Sequence, residues 1–139
     1  MTVALDGCRM IELPKIESEL GAITPVHGGR EIPFEIARVF FFYDVVADAE
    51  RGGHAHRELE QVIVAVLGSF RVVLDNGRER TTVELRQPHI GLYVPTMVWS
   101  QLVDFASGSI GVVLASRHYE EAEYIRDYGD FTRTVGSAA

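Results

Sequence analysis

The sequence contains one cysteine, Cys8, and its apolar runs are all shorter than a membrane-spanning helix requires. A single cysteine excludes an internal disulfide and a metal site made of several thiolates. Basic residues are in the minority, with 13 Lys and Arg against 20 Asp and Glu and a formal net charge of −7. That balance argues against nucleic acid as a partner, because phosphate backbones bind basic surfaces. The chain also begins without a basic segment leading into an apolar one, so we expect a cytoplasmic protein that binds no membrane.

The sequence does contain many short segments rich in β-branched and aromatic residues, separated by turn residues. Such spacing is typical of a β-sandwich or barrel. The pair Asn76-Gly77 gives the strongest hairpin signal, because both residue types tolerate positive φ. One stretch differs: Tyr119 to Tyr128 has apolar residues at helical spacing and is predicted to be the only helix. Residues 1–139 are expected to form a single domain.

Two histidines, His54 and His56, follow the glycines Gly52 and Gly53 just before an apolar strand. Side chains two residues apart on an extended strand project from the same face, so both imidazoles are predicted to point the same way. Three interpretations are open for this pair. The histidines could be structural, they could transfer protons because imidazole titrates near neutrality, or they could bind a metal through neutral nitrogen.

The histidine pair belongs to a longer pattern that resembles the two sequence motifs of the cupins. The first motif has His54, His56, Glu60 and Gly68, and the second has Gly91 and Pro95. More specifically, the chain resembles the cupin-type dTDP-sugar 3,4-ketoisomerases. The stretches that carry this resemblance include Ile32-Pro33-Phe34, Arg51-Gly-Gly-His-Ala-His56, Leu59-Glu-Gln-Val62, Gly91-Leu-Tyr93 and Tyr124-Ile-Arg-Asp-Tyr128.

The resemblance implies an all-β fold, namely a cupin or double-stranded β-helix (jelly-roll barrel) with one short C-terminal helix. It also implies a homodimeric enzyme without a metal or other cofactor, acting on a dTDP-linked keto-deoxysugar. Enzymes of this kind move the keto group of a dTDP-4-keto-6-deoxyhexose from C4 to C3. A dimer is favoured on physical grounds as well, because a small barrel has edge strands that are liabilities unless they are covered.

The expected chemistry assigns roles to particular residues. Isomerisation through an enediol needs a base near neutrality, a second proton carrier and donors for the developing oxyanion. His54 aligns with the base of the family and is predicted to remove the proton from C3, while His56 delivers a proton to C4 or polarises its surroundings. Guanidinium groups suit a diphosphate, which makes Arg38 and Arg51 the candidates for that part of the ligand. The other predicted substrate contacts are Phe40, Gln61, Tyr93, Trp99 and Gln101.

Two positions depart from the family pattern. Phe40 stands where relatives carry a tyrosine of the catalytic site, and Ser100 stands where they often carry a histidine. Tyr43 cannot replace the missing tyrosine, because three residues along a strand reverse the face. These departures keep a sugar-nucleotide-binding cupin without activity as an alternative function.

A metal-dependent cupin, either a dioxygenase or an isomerase, is the other alternative. His54, His56 and Glu60 would supply three ligands at cupin spacing, and three protein ligands can hold a catalytic metal. The fourth ligand, a histidine of the second motif, is missing near Ser100. His89 follows a proline in a turn and His118 is predicted to start the helix, so both are expected to be surface residues.

Overall fold

A computed structural model describes residues 3–46 and 48–138, so Met1, Thr2, Ala47 and Ala139 lie outside the described part of the chain. The strands are β1 (Arg9–Glu12), β2 (Ile16–Ser18), β3 (Gly21–Ile23), β4 (Arg38–Phe42), β5 (Arg51–His56), β6 (Gln61–Leu67), β7 (Phe70–Asp75), β8 (Arg80–Leu85), β9 (Ile90–Val94), β10 (Trp99–Val103), β11 (Ile110–Ala115) and β12 (Tyr124–Ile125). A 3-10 turn, Glu121–Glu123, precedes β12, and α1 (Tyr128–Ala138) follows it. The predicted all-β class with a short C-terminal helix is confirmed.

Two five-stranded antiparallel sheets face each other and enclose the main core. The first sheet has the strand order β1-β9-β6-β11-β4, the second has the order β12-β5-β10-β7-β8, and β2 and β3 form a separate hairpin. Side chains from both sheets fill the space between them, among them Ile63, Phe70, Leu74, Leu92 and Val113, none more than 2 % exposed. This double-sheet arrangement is that of the predicted jelly-roll barrel.

Strand β6 shows why parts of the sequence are continuously apolar. Ile63 and Ala65 belong to the core between the sheets, whereas Val62 and Val64 belong to a second cluster on the outer face of the first sheet. Ile32, at 1 % exposure, covers that outer face together with its neighbours. A strand buried on both faces has no polar alternation, because neither side meets water.

The position of the predicted helix is wrong. Residues 119–128 form the 3-10 turn, β12 and the first residue of α1 instead of one helix. Ile125 has helical spacing from Ala122, but it is 3 % exposed and pairs with Ala55 of β5. Pairing with β5 covers an otherwise open sheet edge, and this tertiary interaction overrides the local periodicity. His118 consequently lies in an exposed loop and does not begin a helix.

Helix α1 packs on the outer face of the second sheet. The Phe131 side chain is fully buried, with its ring centroid 5.7 Å from that of Trp99. At the start of the helix, the Tyr128 hydroxyl donates to Asp75 Oδ2 over 2.7 Å, and Arg80 Nη2 donates to the same oxygen over 3.0 Å. Burial alone would raise the pKa of Asp75, but these hydrogen bonds outweigh it and lower that pKa. No helix of the described chain is long and apolar enough to cross a membrane.

The hairpin predicted at Asn76-Gly77 is confirmed, with a longer loop than two residues. Strand β7 ends at Asp75, β8 begins at Arg80, and Asn76 Oδ1 accepts hydrogen bonds from the backbone of Arg78 and Glu79 over 2.9 and 2.8 Å. Only Gly77 of the pair has positive φ, at +93°. A Cβ at that position would lie 2.5 Å from Val135 Cγ2, so the loop also needs a glycine to accept α1.

Candidate active site

The two histidines lie on the inner face of β5, as predicted. His54 pairs with Ser100 of β10 on one side, and His56 pairs with Tyr124 of β12 on the other. Their ring centroids are 4.8 Å apart with an interplanar angle of 80°. Strand alternation thus brings both imidazoles into one site between the sheets, while Ala55 points outwards beneath α1.

The glycines ahead of the histidines are required by the backbone. Gly52 and Gly53 have φ of +89° and +74°, in the left-handed region that favours glycine. The pairing of β5 with β10 shifts register between Ser100 and Gln101, and a Cβ on Gly52 would lie 3.1 Å from the Ser100 carbonyl oxygen. This bulge turns the strand so that His54 and His56 enter the barrel side by side.

In both imidazoles the Nδ1 atom is buried and has no hydrogen-bond partner in the described chain. His56 is 5 % exposed and His54 is partly buried. No group of the described chain bonds Nδ1 of either ring. A buried polar atom without a partner carries a desolvation cost of about 1 to 3 kcal/mol. Such atoms call for a hydrogen-bond partner, which water or a ligand can supply.

Both histidines are neutral at pH 7. The pKa of His54 is lowered from 6.5 to about 4, mainly by burial and then by the positive charge of Arg126. The pKa of His56 is lowered from 6.5 to about 3, mainly by burial and then by His54 and Arg38. A neutral imidazole can accept a proton, but pKa values this low make the pair weaker bases than the near-neutral base that the reaction requires.

Arg38 and Phe40 lie on the inner face of β4, directed towards the same site. The Arg38 guanidinium carbon is 4.3 Å from the Phe40 ring centroid, and its Nη1 donates to the Tyr124 hydroxyl over 3.2 Å. The predicted orientation of β4 is confirmed at Tyr43, which is 59 % exposed and stacks near Phe41 on the outer face. The site therefore has no tyrosine from this strand.

Tyr124 is the site residue that the sequence interpretation missed. Its ring centroid is 4.9 Å from that of His54 and 4.5 Å from that of His56. Arg126 covers the ring, with its guanidinium carbon 4.4 Å from the centroid. The stretch Tyr124 to Tyr128 carries part of the family resemblance, but its local spacing predicts a helix. Only the long-range pairing of β12 with β5 brings Tyr124 to the histidines.

With this geometry in view, the chain matches the family model described as "FdtA: WxcM-like, C-terminal" over residues 6–136. The chain belongs to this family. It is 39 % identical over 127 residues to a TDP-4-oxo-6-deoxy-alpha-D-glucose-3,4-oxoisomerase of Aneurinibacillus thermoaerophilus, covering 91 % of each chain.

Solved structures of 3,4-ketoisomerases share the fold. A variant of the 3,4-ketoisomerase QdtA from Thermoanaerobacterium thermosaccharolyticum, in complex with TDP-4-keto-6-deoxyglucose, superposes with a TM-score of 0.93 at 34 % identity, covering 96 % of each chain. A 3,4-ketoisomerase from Helicobacter canadensis gives a TM-score of 0.91 at 38 % identity, covering 94 % of this chain and 98 % of that one. The predicted resemblance to ketoisomerases and the predicted cupin fold are both confirmed.

Gln61 and Arg51, two further predicted substrate contacts of this FdtA-like chain, lie at different depths in the barrel. Gln61 is 5 % exposed and sits on the inner face of β6, opposite Ala115, which also pairs with Arg38. Arg51 begins β5 and is exposed, with its guanidinium carbon 5.6 Å from the Phe42 ring centroid. Gln61 thus shares the inner face with Arg38, and Arg51 lies nearer to solvent.

The structure does not bring Tyr93, Trp99 and Gln101 to the histidines. Trp99 and Gln101 lie on the outer face of β10, where Trp99 packs against α1 and Gln101 Nε2 donates to Glu50 over 2.9 Å. Tyr93 lies on the outer face of β9, and its hydroxyl donates to Glu60 Oε1 over 2.5 Å. The role of these three residues as substrate contacts remains a prediction based on the family resemblance.

The three ligands considered for a metal do not form one group. Glu60 Oε1 is bonded by Tyr93 on the outer face, whereas His54 and His56 face the barrel interior. Nowhere in residues 3–46 and 48–138 do three His, Cys, Asp or Glu side chains lie close enough to hold a metal ion. This arrangement gives a metal-dependent function no support from the protein side chains.

Proposed function

We propose that this chain is a dTDP-4-keto-6-deoxyhexose 3,4-ketoisomerase that moves the keto group from C4 to C3. The observation that carries the proposal is the pair of buried, neutral imidazoles with free Nδ1 atoms, 4.8 Å apart in the barrel. The membership of the FdtA family and the likeness to ketoisomerases supply the substrate class.

The proposed reaction begins with proton transfer from C3 to the neutral His54. The electron pair of the C3–H bond forms the C3–C4 double bond, and the C4 carbonyl electrons move to O4. His54 is now an imidazolium, and it hands its proton to His56, whose ring is in contact. His56 delivers a proton to C4 while the O3 proton is transferred to O4, and the C3 carbonyl forms. Each histidine ends in the neutral state in which it started.

Two arginines are proposed to bind the diphosphate. Arg38 is partly buried beside the histidines, and Arg51 is exposed at the start of the histidine strand. Guanidinium groups can bond phosphate oxygens with two parallel N–H donors, which suits a ligand that must reach from solvent into the barrel. An anionic ligand beside Arg38 would also offset part of the positive field that opposes protonation of His56.

The test is incubation of the purified protein with dTDP-4-keto-6-deoxyglucose in deuterated water, followed by NMR of the sugar. The expected result is a 3-keto product with loss of the C3 proton signal. The deuterium content at C4 then measures how far the histidine protons exchange with solvent before one is delivered to C4. Binding of dTDP without conversion of the sugar would favour the alternative of a sugar-nucleotide-binding cupin without activity. That alternative is based on the departures from the family pattern at Phe40 and Ser100. Activity that disappears on chelation and returns with a metal would favour the metal-dependent alternative.

We also propose that the protein is a homodimer. Strand β4 is an edge of the first sheet, and its outer face exposes Val39, Phe41 and Tyr43 at 55, 61 and 59 %. The β2–β3 hairpin also exposes Ile16 and Ile23, at 58 and 68 %. Exposed apolar residues on an unpaired edge strand are typical of an interface, and a second copy of the chain would cover them. A cytoplasmic location stays a prediction.

A further inference from the structure

The proposed isomerisation moves protons bound to carbon and protons bound to oxygen, and the histidines account only for those bound to carbon. One proton leaves C3 and one arrives at C4, which is the work of His54 and His56. In addition, O4 must gain a proton and O3 must lose one. An acid placed next to the carbonyl oxygen is the usual solution, because an oxyanion left without a donor raises the barrier steeply. Phe40 has no proton to give.

Only one of the five tyrosines has its hydroxyl proton available beside the histidines. The hydroxyls of Tyr93, Tyr119 and Tyr128 donate to the carboxylates of Glu60, Glu121 and Asp75, respectively. Tyr43 points outwards from β4 and is 59 % exposed. Tyr124 remains, and its ring contacts both imidazoles.

The Tyr124 hydroxyl accepts a hydrogen bond from the protein, which leaves its own proton available for donation. Arg38 Nη1 donates to the phenol oxygen over 3.2 Å, so the hydroxyl accepts from the protein. No group of the described chain accepts the proton of this hydroxyl in turn. The cation would also stabilise a phenolate if the proton left. Ser100 pairs with His54 and also carries a hydroxyl, but an aliphatic hydroxyl is a far weaker acid than a phenol.

We propose that Tyr124 is a further catalytic residue, whose hydroxyl gives its proton to O4 and takes one back from O3. The inference rests on the proposed ketoisomerase function. In the first step the C3–H bond breaks towards His54 and the Tyr124 O–H bond breaks towards O4, which leaves an imidazolium, a neutral enediol and a phenolate beside Arg38. In the second step the phenolate takes the O3 proton, the C3 carbonyl forms, and C4 receives the proton from the histidine pair. Protons and charge balance over the two steps.

The test compares Tyr124→Phe with Tyr124→Leu. The phenylalanine keeps the ring against the histidines and removes one oxygen, while leucine removes the ring as well. We expect kcat of Tyr124→Phe to fall by roughly 10² to 10³-fold, the range seen when one donor to a developing oxyanion is removed. Exchange of the C3 proton in deuterated water should fall by the same factor. The KM for the sugar nucleotide and the Kd for dTDP should change little. The turnover of Tyr124→Leu should be about equal to that of Tyr124→Phe, because both variants lack the hydroxyl.

Tyr119→Phe is the matched control, because Tyr119 is exposed, its ring centroid lies 5.3 Å from that of Tyr124, and its hydroxyl is occupied by Glu121. This variant should keep wild-type turnover. If Tyr124 only packs against the histidines, Tyr124→Phe will turn over like the wild type and only the leucine variant will lose activity, which overturns the inference. If the wild-type protein itself leaves the sugar unchanged, the proposed function fails and the inference fails with it. Melting temperature and dTDP titration identify any variant that has lost its fold.

Discussion

At the scale of single residues, the two histidines have different proposed roles, so replacing each one should impair a different step of the reaction. His54→Asn removes the proposed base, so both isomerisation and deuterium uptake at C3 should be abolished. His56→Asn removes only the delivery to C4, so product formation should slow while part of the C3 exchange persists. NMR in deuterated water separates the two rates. Exchange of the C3 proton at the wild-type rate in His54→Asn would show that the assignment is wrong.

The same residues should make the protein less stable in mild acid. Their pKa values are lowered from 6.5 to about 4 and about 3 in the folded state, so below pH 6.5 the unfolded chain binds protons that the folded chain does not. Stability must therefore fall as the pH drops, by about 1 to 2 kcal/mol per histidine between pH 7 and pH 5. Urea unfolding at the two pH values measures this loss.

Substitution by asparagine separates the histidine contribution to this pH dependence from that of the carboxylates. His54→Asn and His56→Asn should each remove their share of the loss between pH 7 and pH 5, whatever they do to stability at pH 7. The exposed His118, replaced in the same way, serves as the control. An unchanged pH dependence in both site variants would mean that these imidazoles are not held neutral by the fold.

At the scale of elements, one buried carboxylate fixes the strand that carries Tyr124. Glu123 is 7 % exposed, and its Oε1 accepts hydrogen bonds from the backbone N–H groups of Glu58 and Leu59, each over 2.5 Å. Glu123→Ala would leave the buried N–H of Leu59 and the partly buried N–H of Glu58 without an acceptor, which should cost about 2 to 4 kcal/mol. Because β12 follows directly, hydrogen exchange should rise at Ile125 and Ala55, and turnover should fall.

Glu120→Ala provides the comparison for this variant, since Glu120 is the same residue type, three positions earlier and exposed. It should change the free energy of unfolding by less than about 0.5 kcal/mol. Equal destabilisation by both substitutions would contradict the anchoring role of the Glu123 carboxylate.

The features that could be predicted from the sequence are those that depend on neighbouring residues along the chain. Alternation along an extended strand was enough to place His54 beside His56 and to turn Tyr43 away from Phe40. It could not place Tyr124, because the spacing of residues 119–128 fits a helix and only the open edge of β5 selects a strand there. The same limit applies to Trp99, whose position under α1 depends on where the helix lies.

At the scale of the whole molecule, the exposed face of β4 makes a prediction about assembly. We expect the wild-type protein to have twice the chain mass by light scattering at micromolar concentration. Phe41→Lys places a charge in the middle of the apolar face, which is costly to bury without a partner, and should shift the protein towards the monomer. Thr82→Lys adds the same charge on an exposed position of the second sheet and should leave the mass unchanged. A monomeric wild-type protein would exclude the dimer.

The pairing of β5 with β12 also has a consequence for how the protein is made. His56 and Tyr124 face each other across two hydrogen-bonded strands, yet 67 residues separate them along the chain. A growing chain therefore completes eleven of the twelve strands before β12, the last partner of the histidine strand, leaves the ribosome. Until then β5 is an open edge that carries two unpaired imidazoles, and a nascent chain in that state is exposed to pairing with other strands. The candidate active site is therefore complete only after β12 has paired with β5.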